Sequence, residues 1–201
     1  MRTGRPRTVS DEAIFQAVSA VVSESGPAGL TLAAVADRVG LSGPALAQRF
    51  GSKRNLLVAY ARAAARGVDD LFARGRSSRR SPLAALRAAL IEFTAGIDSR
   101  ESIANNLAFL HLDLTDEEFG RYAAEQSRLL RQAITDLLRE AIEAGELEQT
   151  DPSALADTVY TVYNGALVGW AIDGTGTLAR WLSIRLDRVL SCHRPSTTSS
   201  A

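Results

Sequence analysis

Between Thr31 and Phe50 two short helical patterns meet at one glycine, Gly40, and this hinge constrains the fold more than any other segment. Leu32, Val35, Ala36 and Val39 recur at helical spacing, so the first pattern can lay one face on a core, with Thr31 capping its start. Gly40 tolerates the left-handed backbone that a tight inter-helix turn needs. Ser42 is placed to accept a backbone N–H at the start of the second helix, and Pro44 fits its first turn, where few N–H groups have intrahelical partners. Leu46 and Phe50, one turn apart, anchor that helix inward and leave Gly43, Ala45, Gln48 and Arg49 to face a groove. Such a pair is either an ordinary helical hairpin or a helix-turn-helix, whose second helix enters the major groove of DNA.

The flanking residues bear on that choice. Over 10–23, Ile14, Ala17, Val18, Val21 and Val22 form one helical stripe; Ser10 caps it, and Asp11 and Glu12 occupy the first turn, where the helix dipole favours acids. After Phe50, Gly51-Ser52-Lys53-Arg54-Asn55-Leu56-Leu57 reads as a turn and cap leading into a helix to about Gly75, by the spacing of Leu56, Tyr60, Ala63 and Ala64. The combination of Gly40-Leu41-Ser42, Phe50-Gly51-Ser52-Lys53 and Leu56-Leu57 resembles the DNA-binding domain of the TetR family of transcriptional regulators, closely over about residues 10–60 and by architecture beyond.

The resemblance implies base-edge contacts from Gly43, Pro44, Ala45 and Gln48, and phosphate contacts from Thr31, Ser42 and Lys53, the chain's only lysine. Family members usually carry a tyrosine where Ala47 stands, its hydroxyl meeting a phosphate, and alanine cannot make that bond. Arg49 stands where the family often has histidine; a guanidinium there can hold a phosphate or read guanine bidentately. The family also implies a homodimer, most often a repressor, that leaves a palindromic operator in double-stranded DNA when a small apolar or aromatic effector enters the C-terminal domain. Ala47 motivates a different reading, a helical ligand-binding or interaction protein with a degenerate DNA-binding head.

Charge divides along the chain. Residues 1–80 hold 13 Lys/Arg against 6 Asp/Glu and residues 81–201 hold 10 against 17, so a head of +7 balances a body of −7. A basic head is drawn to the phosphate backbone while an acidic body is held off it, which makes affinity salt-dependent. Arg74, Arg76, Arg79 and Arg80 read as a solvated linker. Residues 1–9 lack an apolar run and so are no secretory signal; Gly4-Arg5-Pro6-Arg7 resembles the core of an AT-hook, which makes Arg5 and Arg7 minor-groove candidates unless the arm is only a tail. With little sequence choice, an arm of this kind would make the protein an architectural DNA binder instead.

From Ser81 onward the pattern stays helical, without sustained period-two alternation, so the fold class is all-α. We expect helices from Pro82 to about Ile97 and from Ser102 to about Leu112, then a long one opened by a capping box at Thr115-Asp116-Glu117-Glu118 and stopped at Gly145. Two more run from Asp151-Pro152 to about Ile172 and from about Gly176 to Ser191. The expected organisation is a basic arm (1–9), a three-helix helix-turn-helix domain (10–55), a helical effector-binding and dimerisation domain (56–193) and a tail (194–201).

Within the body, Phe72, Phe93, Phe109, Phe119, Tyr122, Tyr160 and Tyr163 offer apolar walls, with Leu110 beside them, and Asn105, Asn106, His111 and Asn164 offer polar anchors. That is the makeup of a small-molecule pocket, although each aromatic is equally suited to plain core. The last two helices resemble those by which the family pairs into a four-helix bundle, which points to Gly165, Gly169, Trp181, Leu182 and Val189 as interface residues; the glycines serve equally for packing within one subunit. Cys192 is alone, which suits a reducing cytoplasm, and no apolar stretch is long enough to span a membrane. His111 and His193 lack ligand-spaced companions, and no nucleophile–base pair or phosphate-cradling glycine loop stands out, so no metal, cofactor or catalytic residue is expected.

Overall fold

The computed structural model describes residues 9–79 and 81–195, and among these every regular element is an α-helix. Arg5 and Arg7 lie outside the described residues. The first four helices each begin at a hydroxyl: Ser10, Thr31, Ser42 and Ser52 accept the backbone N–H three residues on, opening α1 (Asp11–Gly29), α2 (Leu32–Val39), α3 (Gly43–Phe50) and α4 (Lys53–Ser78). Gly40 closes α2 at φ +69°, donating its N–H to the Ala36 carbonyl, which also receives Leu41 N at 2.9 Å. The α2–α3 turn therefore has the left-handed glycine that its sequence demands.

Helix α1 outruns its expected end at residue 23. Its backbone leaves the helical region at Gly26 (φ +67°), and Pro27 begins the final turn. Ser23, Gly26 and Pro27 are buried there, covered by a helix far along the chain, so the apolar stripe in the local sequence under-reports the length of the element.

The body consists of the distal part of α4 with α5 (Pro82–Glu92), α6 (Arg100–Thr115), α7 (Glu117–Glu143), α8 (Pro152–Asp173) and α9 (Leu178–Ser191). Two expectations are corrected. α5 ends five residues short of Ile97, because 93–97 turn through Gly96 at φ +86°. The cap of α7 is Asp116, whose carboxylate accepts from Glu118 N and Phe119 N; Thr115 still belongs to α6, and its hydroxyl donates back to the His111 carbonyl at 2.6 Å. The 27-residue α7, about 40 Å long at 1.5 Å per residue, packs against α4, α5, α6 and α8 and is the spine of the body.

Two cores result. Ile14, Val18, Leu30, Val35, Leu46 and Leu56 are fully buried in the head, and Phe72, Leu86, Ile134, Leu137, Leu138 and Leu182 lie in the body. The expected boundary after residue 55 falls inside the unbroken α4, whose Leu56 and Leu57 belong to the head core. Phe119, from the first turn of α7, also belongs to the head core, so the two units share both a helix and a seam of packing.

Leu46 is the only buried side chain on α3 and has no exposed surface. We predict that Leu46→Ala costs roughly 2–5 kcal/mol, the range for emptying a leucine site in a packed core, read as a lower midpoint in denaturant unfolding of the whole chain.

Candidate functional site

The outer face of α3 carries the residues that the family resemblance assigns to DNA. Pro44 and Gln48 are exposed, whereas Gly43, Ala45 and Ala47 are half-buried. The Thr31 and Ser42 oxygens accept the capping bonds of α2 and α3, which leaves each hydroxyl proton free to donate outward. Lys53 donates to the Ala28 carbonyl at 2.6 Å, so its ammonium sits beside the end of α1 with two donors unspent.

Arg49 is already engaged within the chain. One guanidinium nitrogen donates to the Val9 carbonyl at 2.7 Å and another pairs with Asp11 at 2.5 Å, while the group lies 5.8 Å from the centre of the Phe50 ring. These contacts fasten the start of α1 to the end of α3. Arg38 is similarly paired with Glu24. Cations that the sequence presents as available to phosphate are thus partly committed to holding the head together.

Behind the head lies a cavity of about 490 Å³. Its wall brings together Phe93, Asn106, Phe109, Tyr122, Tyr160, Tyr163 and Asn164 of the expected pocket residues, with Leu110 beside them. Two expectations are corrected: Phe72 is turned into the body core, and Phe119 sits in the head core, edge-on to Phe109 at 5.7 Å and 5.6 Å from the Arg54 guanidinium. Neither lines the cavity, because the sequence places both on apolar stripes without showing which neighbour each stripe meets. Of the remaining polar anchors, His111 is exposed and off the wall.

The chemistry of the cavity is aromatic with a few polar atoms. The Tyr160 and Ser127 hydroxyls share a hydrogen bond of 2.7 Å, and Asn164 donates to the Tyr160 carbonyl at 2.9 Å. The Tyr163 hydroxyl is buried without a hydrogen-bond partner; burial pushes its phenol well above the ordinary range, and nearby Tyr160 adds to the shift. Asp113, also on the wall, has its carboxyl pushed up to about 6 by burial alone.

The cavity touches the head directly. Ser19 and Val22 of α1 and Tyr60 and Ala61 of α4 form part of its wall. Asn106 donates to the Ser23 hydroxyl at 3.0 Å and to the Ser102 carbonyl at 2.7 Å, while its neighbour Asn105 donates to the Ser23 carbonyl at 3.0 Å. A second tie joins the start of α4 to the α6–α7 corner: Arg54 grips Asp116 at 2.8 and 2.9 Å and Glu118 at 2.6 Å. That hydrogen bonding holds the Asp116 carboxyl below the usual carboxylate range. Sequence reading missed Ser23, Arg54 and Asp113, since the partners of the first two lie more than sixty residues away and Asp113 matters only by burial.

At the other end of the body, the structure corrects one expected interface residue, Leu182, and shows what others meet within the subunit. Leu182 is fully buried within the subunit, Val189 packs on its core, and Gly169 faces Trp181, whose indole N–H donates to the Ala166 carbonyl at 2.9 Å. Gly165 is exposed, on the same face of α8 as Val168 and Ile172. Val168 is 44% exposed, Ile172 66% and, on α9, Ile184 43%, so these aliphatic residues of the last two helices face outward. Among the described residues no group of three His, Cys, Asp or Glu side chains is placed to hold a metal ion, and no helix is long and apolar enough to cross a membrane.

The Asp113 carboxyl yields a signed prediction. Because its folded value of about 6 lies above the ordinary carboxylate value, its protonated form favours the fold below about pH 4, and that contribution is lost as pH rises through 6. Asp113→Asn removes the penalty of the charged form, so its melting temperature should exceed that of the parent at pH 8 and match it at pH 4. An equal shift at both values would assign the effect to packing instead.

Comparison with known proteins agrees with this geometry. Residues 14–60 match the family described as bacterial regulatory proteins, tetR family, and residues 82–191 match BetI-type transcriptional repressor, C-terminal. No curated protein matches the chain. Among solved structures, a TetR transcription regulator from Haloarcula marismortui superposes with a TM-score of 0.69 at 18% identity, over 91% of this chain and 97% of that one. SmeT, the repressor of the Stenotrophomonas maltophilia multidrug efflux pump SmeDEF, superposes at 0.63 with 23% identity, over 94% and 93% of the two chains. SmeT in complex with triclosan superposes at 0.67 with 23% identity, over 93% and 92%. With a helix-turn-helix head, a matching C-terminal half and the same fold throughout, this chain belongs to the TetR family of transcriptional regulators.

Proposed function

We propose that the protein is a homodimeric repressor, acting in the cytoplasm, that leaves a palindromic operator when a small apolar or aromatic molecule enters its body. The observation that carries the reading is the cavity wall itself, part of which belongs to α1 and α4 of the head, with Asn106 bridging from cavity to Ser23. A molecule filling that space meets both units at once, so it has different contacts in any state where the head has shifted. A differential of about 1–3 kcal/mol changes operator affinity some 5- to 150-fold. SmeT, a repressor with a triclosan complex, is consistent with this arrangement.

Operator contacts fall to Gly43, Pro44, Ala45 and Gln48 at base edges and to Thr31, Ser42 and Lys53 at phosphates. Arg49 holds Val9 and Asp11 at the start of α1. One short recognition helix covers few base pairs, so specificity calls for two heads one DNA turn apart, about 34–36 Å. Val168, Ile172 and Ile184 are the apolar surface across which a second copy pairs.

A second reading, a ligand-binding protein with a degenerate head, is favoured by Ala47 and by the internal engagement of Arg49 and Lys53. Fluorescence anisotropy on the intergenic DNA flanking its own gene, with excess unrelated duplex at physiological salt, separates the two. The repressor binds tightly and resists competition by orders of magnitude; weak binding that any duplex displaces supports the second reading. Ile172→Asp should convert the dimer to monomer in sedimentation and reduce operator affinity in proportion, whereas an unchanged dimer moves the interface elsewhere.

A further inference from the structure

We propose that the ligand of the cavity is a flat aromatic monocation, with the Asp113 carboxylate as its counter-ion and the unpartnered Tyr163 hydroxyl on the same wall; this rests on the reading of the cavity as the effector site. Asn106, Phe109, Leu110 and Asp113 fall at positions i, i+3, i+4 and i+7 of α6 and all line the cavity, so the carboxylate shares the face that bounds it. The wall has one other charged residue, Arg74, and that guanidinium is already paired with Glu92 at 3.1 Å. Of the charged residues on the wall, Asp113 alone lacks an ion pair.

Two further features select a cation of aromatic body. A carboxylate half removed from water with no ion pair of its own is costly, and an incoming positive charge relieves that cost. The rings of Phe93, Phe109, Tyr122 and Tyr160 bound the same space, the last two with Arg121 and Arg131 over them at 5.1 and 4.9 Å, and aromatic rings both attract a cation and pack against a planar ring system. An anion of equal size meets Asp113 and is repelled. The Tyr163 hydroxyl, wholly buried on this wall without a partner, is a polar atom that the protein alone leaves unsatisfied. Buried polar groups are rarely left so, and a ligand group that bonds to it removes the penalty. The volume, about 490 Å³, lies in the range of small-molecule sites and admits three fused rings.

Three fluorescent probes of one shape test the charge preference on the full chain: N-methylacridinium, its neutral isostere 9-methylanthracene, and anthracene-9-carboxylate. The cation is expected to bind about tenfold or more tighter than the neutral probe, equivalent to at least about 1.4 kcal/mol, and the carboxylate more weakly than either. Asp113→Asn should erase the preference for the cation while leaving affinity for 9-methylanthracene within about twofold, and Asp113→Glu should restore it, a pattern that general loosening of the fold does not produce. Equal affinity for cation and neutral probe, or an Asp113→Asn protein that still prefers the cation, overturns the proposal. The neutral probe separates this failure from a deeper one: if it binds, the cavity remains an effector site of different selectivity, and if no probe binds, the effector reading falls as well.

Discussion

An eight-residue helix does not hold itself together in water, since nucleation costs more than so few hydrogen bonds return. Both α2 and α3 are of that length, and they exist because Val35, Ala36 and Leu46 are buried against α1 and α4. The surface offered to DNA is therefore only as rigid as a small core beneath it. That core is completed from outside the head, by Leu56 and Leu57 of the long α4 and by Phe119 of α7. The placement of α3 consequently depends on where the body holds α4 and α7, and a change in the body reaches the DNA-binding face through packed side chains.

Polar ties reinforce the same seam. Asn105 and Asn106 of α6 bind Ser23, and Arg54 grips Asp116 and Glu118, so the head is fastened to the body at two separated places. The Ser23 tie borders the cavity, whereas the Arg54 tie lies at the corner between α6 and α7. Exposed ion pairs contribute little stability in isolation; the value of the Arg54 cluster is geometric, because two carboxylates and the Phe119 ring together fix one guanidinium. Helix α6 touches both cavity and head.

The cavity combines features that folding alone does not favour. An unpaired carboxylate and an orphaned tyrosine hydroxyl beside aromatic rings reduce the stability of the empty protein. Packing Asp113 and Tyr163 as apolar side chains would remove both penalties. The outward face of α8 and α9 shows the same opposition: Val168, Ile172 and Ile184 are exposed while Leu178, Leu182, Leu186 and Leu190 serve the interior.

The all-helical class, the hinge at Gly40, the capping hydroxyls and the helix-turn-helix could all be read from the sequence, because each depends on residues within one or two turns of each other. The aromatic composition of a pocket was also legible, since Phe93, Phe109, Tyr122, Tyr160 and Tyr163 do line one cavity. Tertiary structure alone decided that Phe72 and Phe119 serve two different cores and that Leu182 faces inward. It alone carried α1 past Ser23 and turned Arg49 toward Asp11. Helical periodicity specifies that a stripe is buried but not which neighbour buries it, and hydrogen bonds or ion pairs spanning sixty to eighty residues leave no local trace. Residues whose role depends on a distant partner therefore became visible only once the chain was folded.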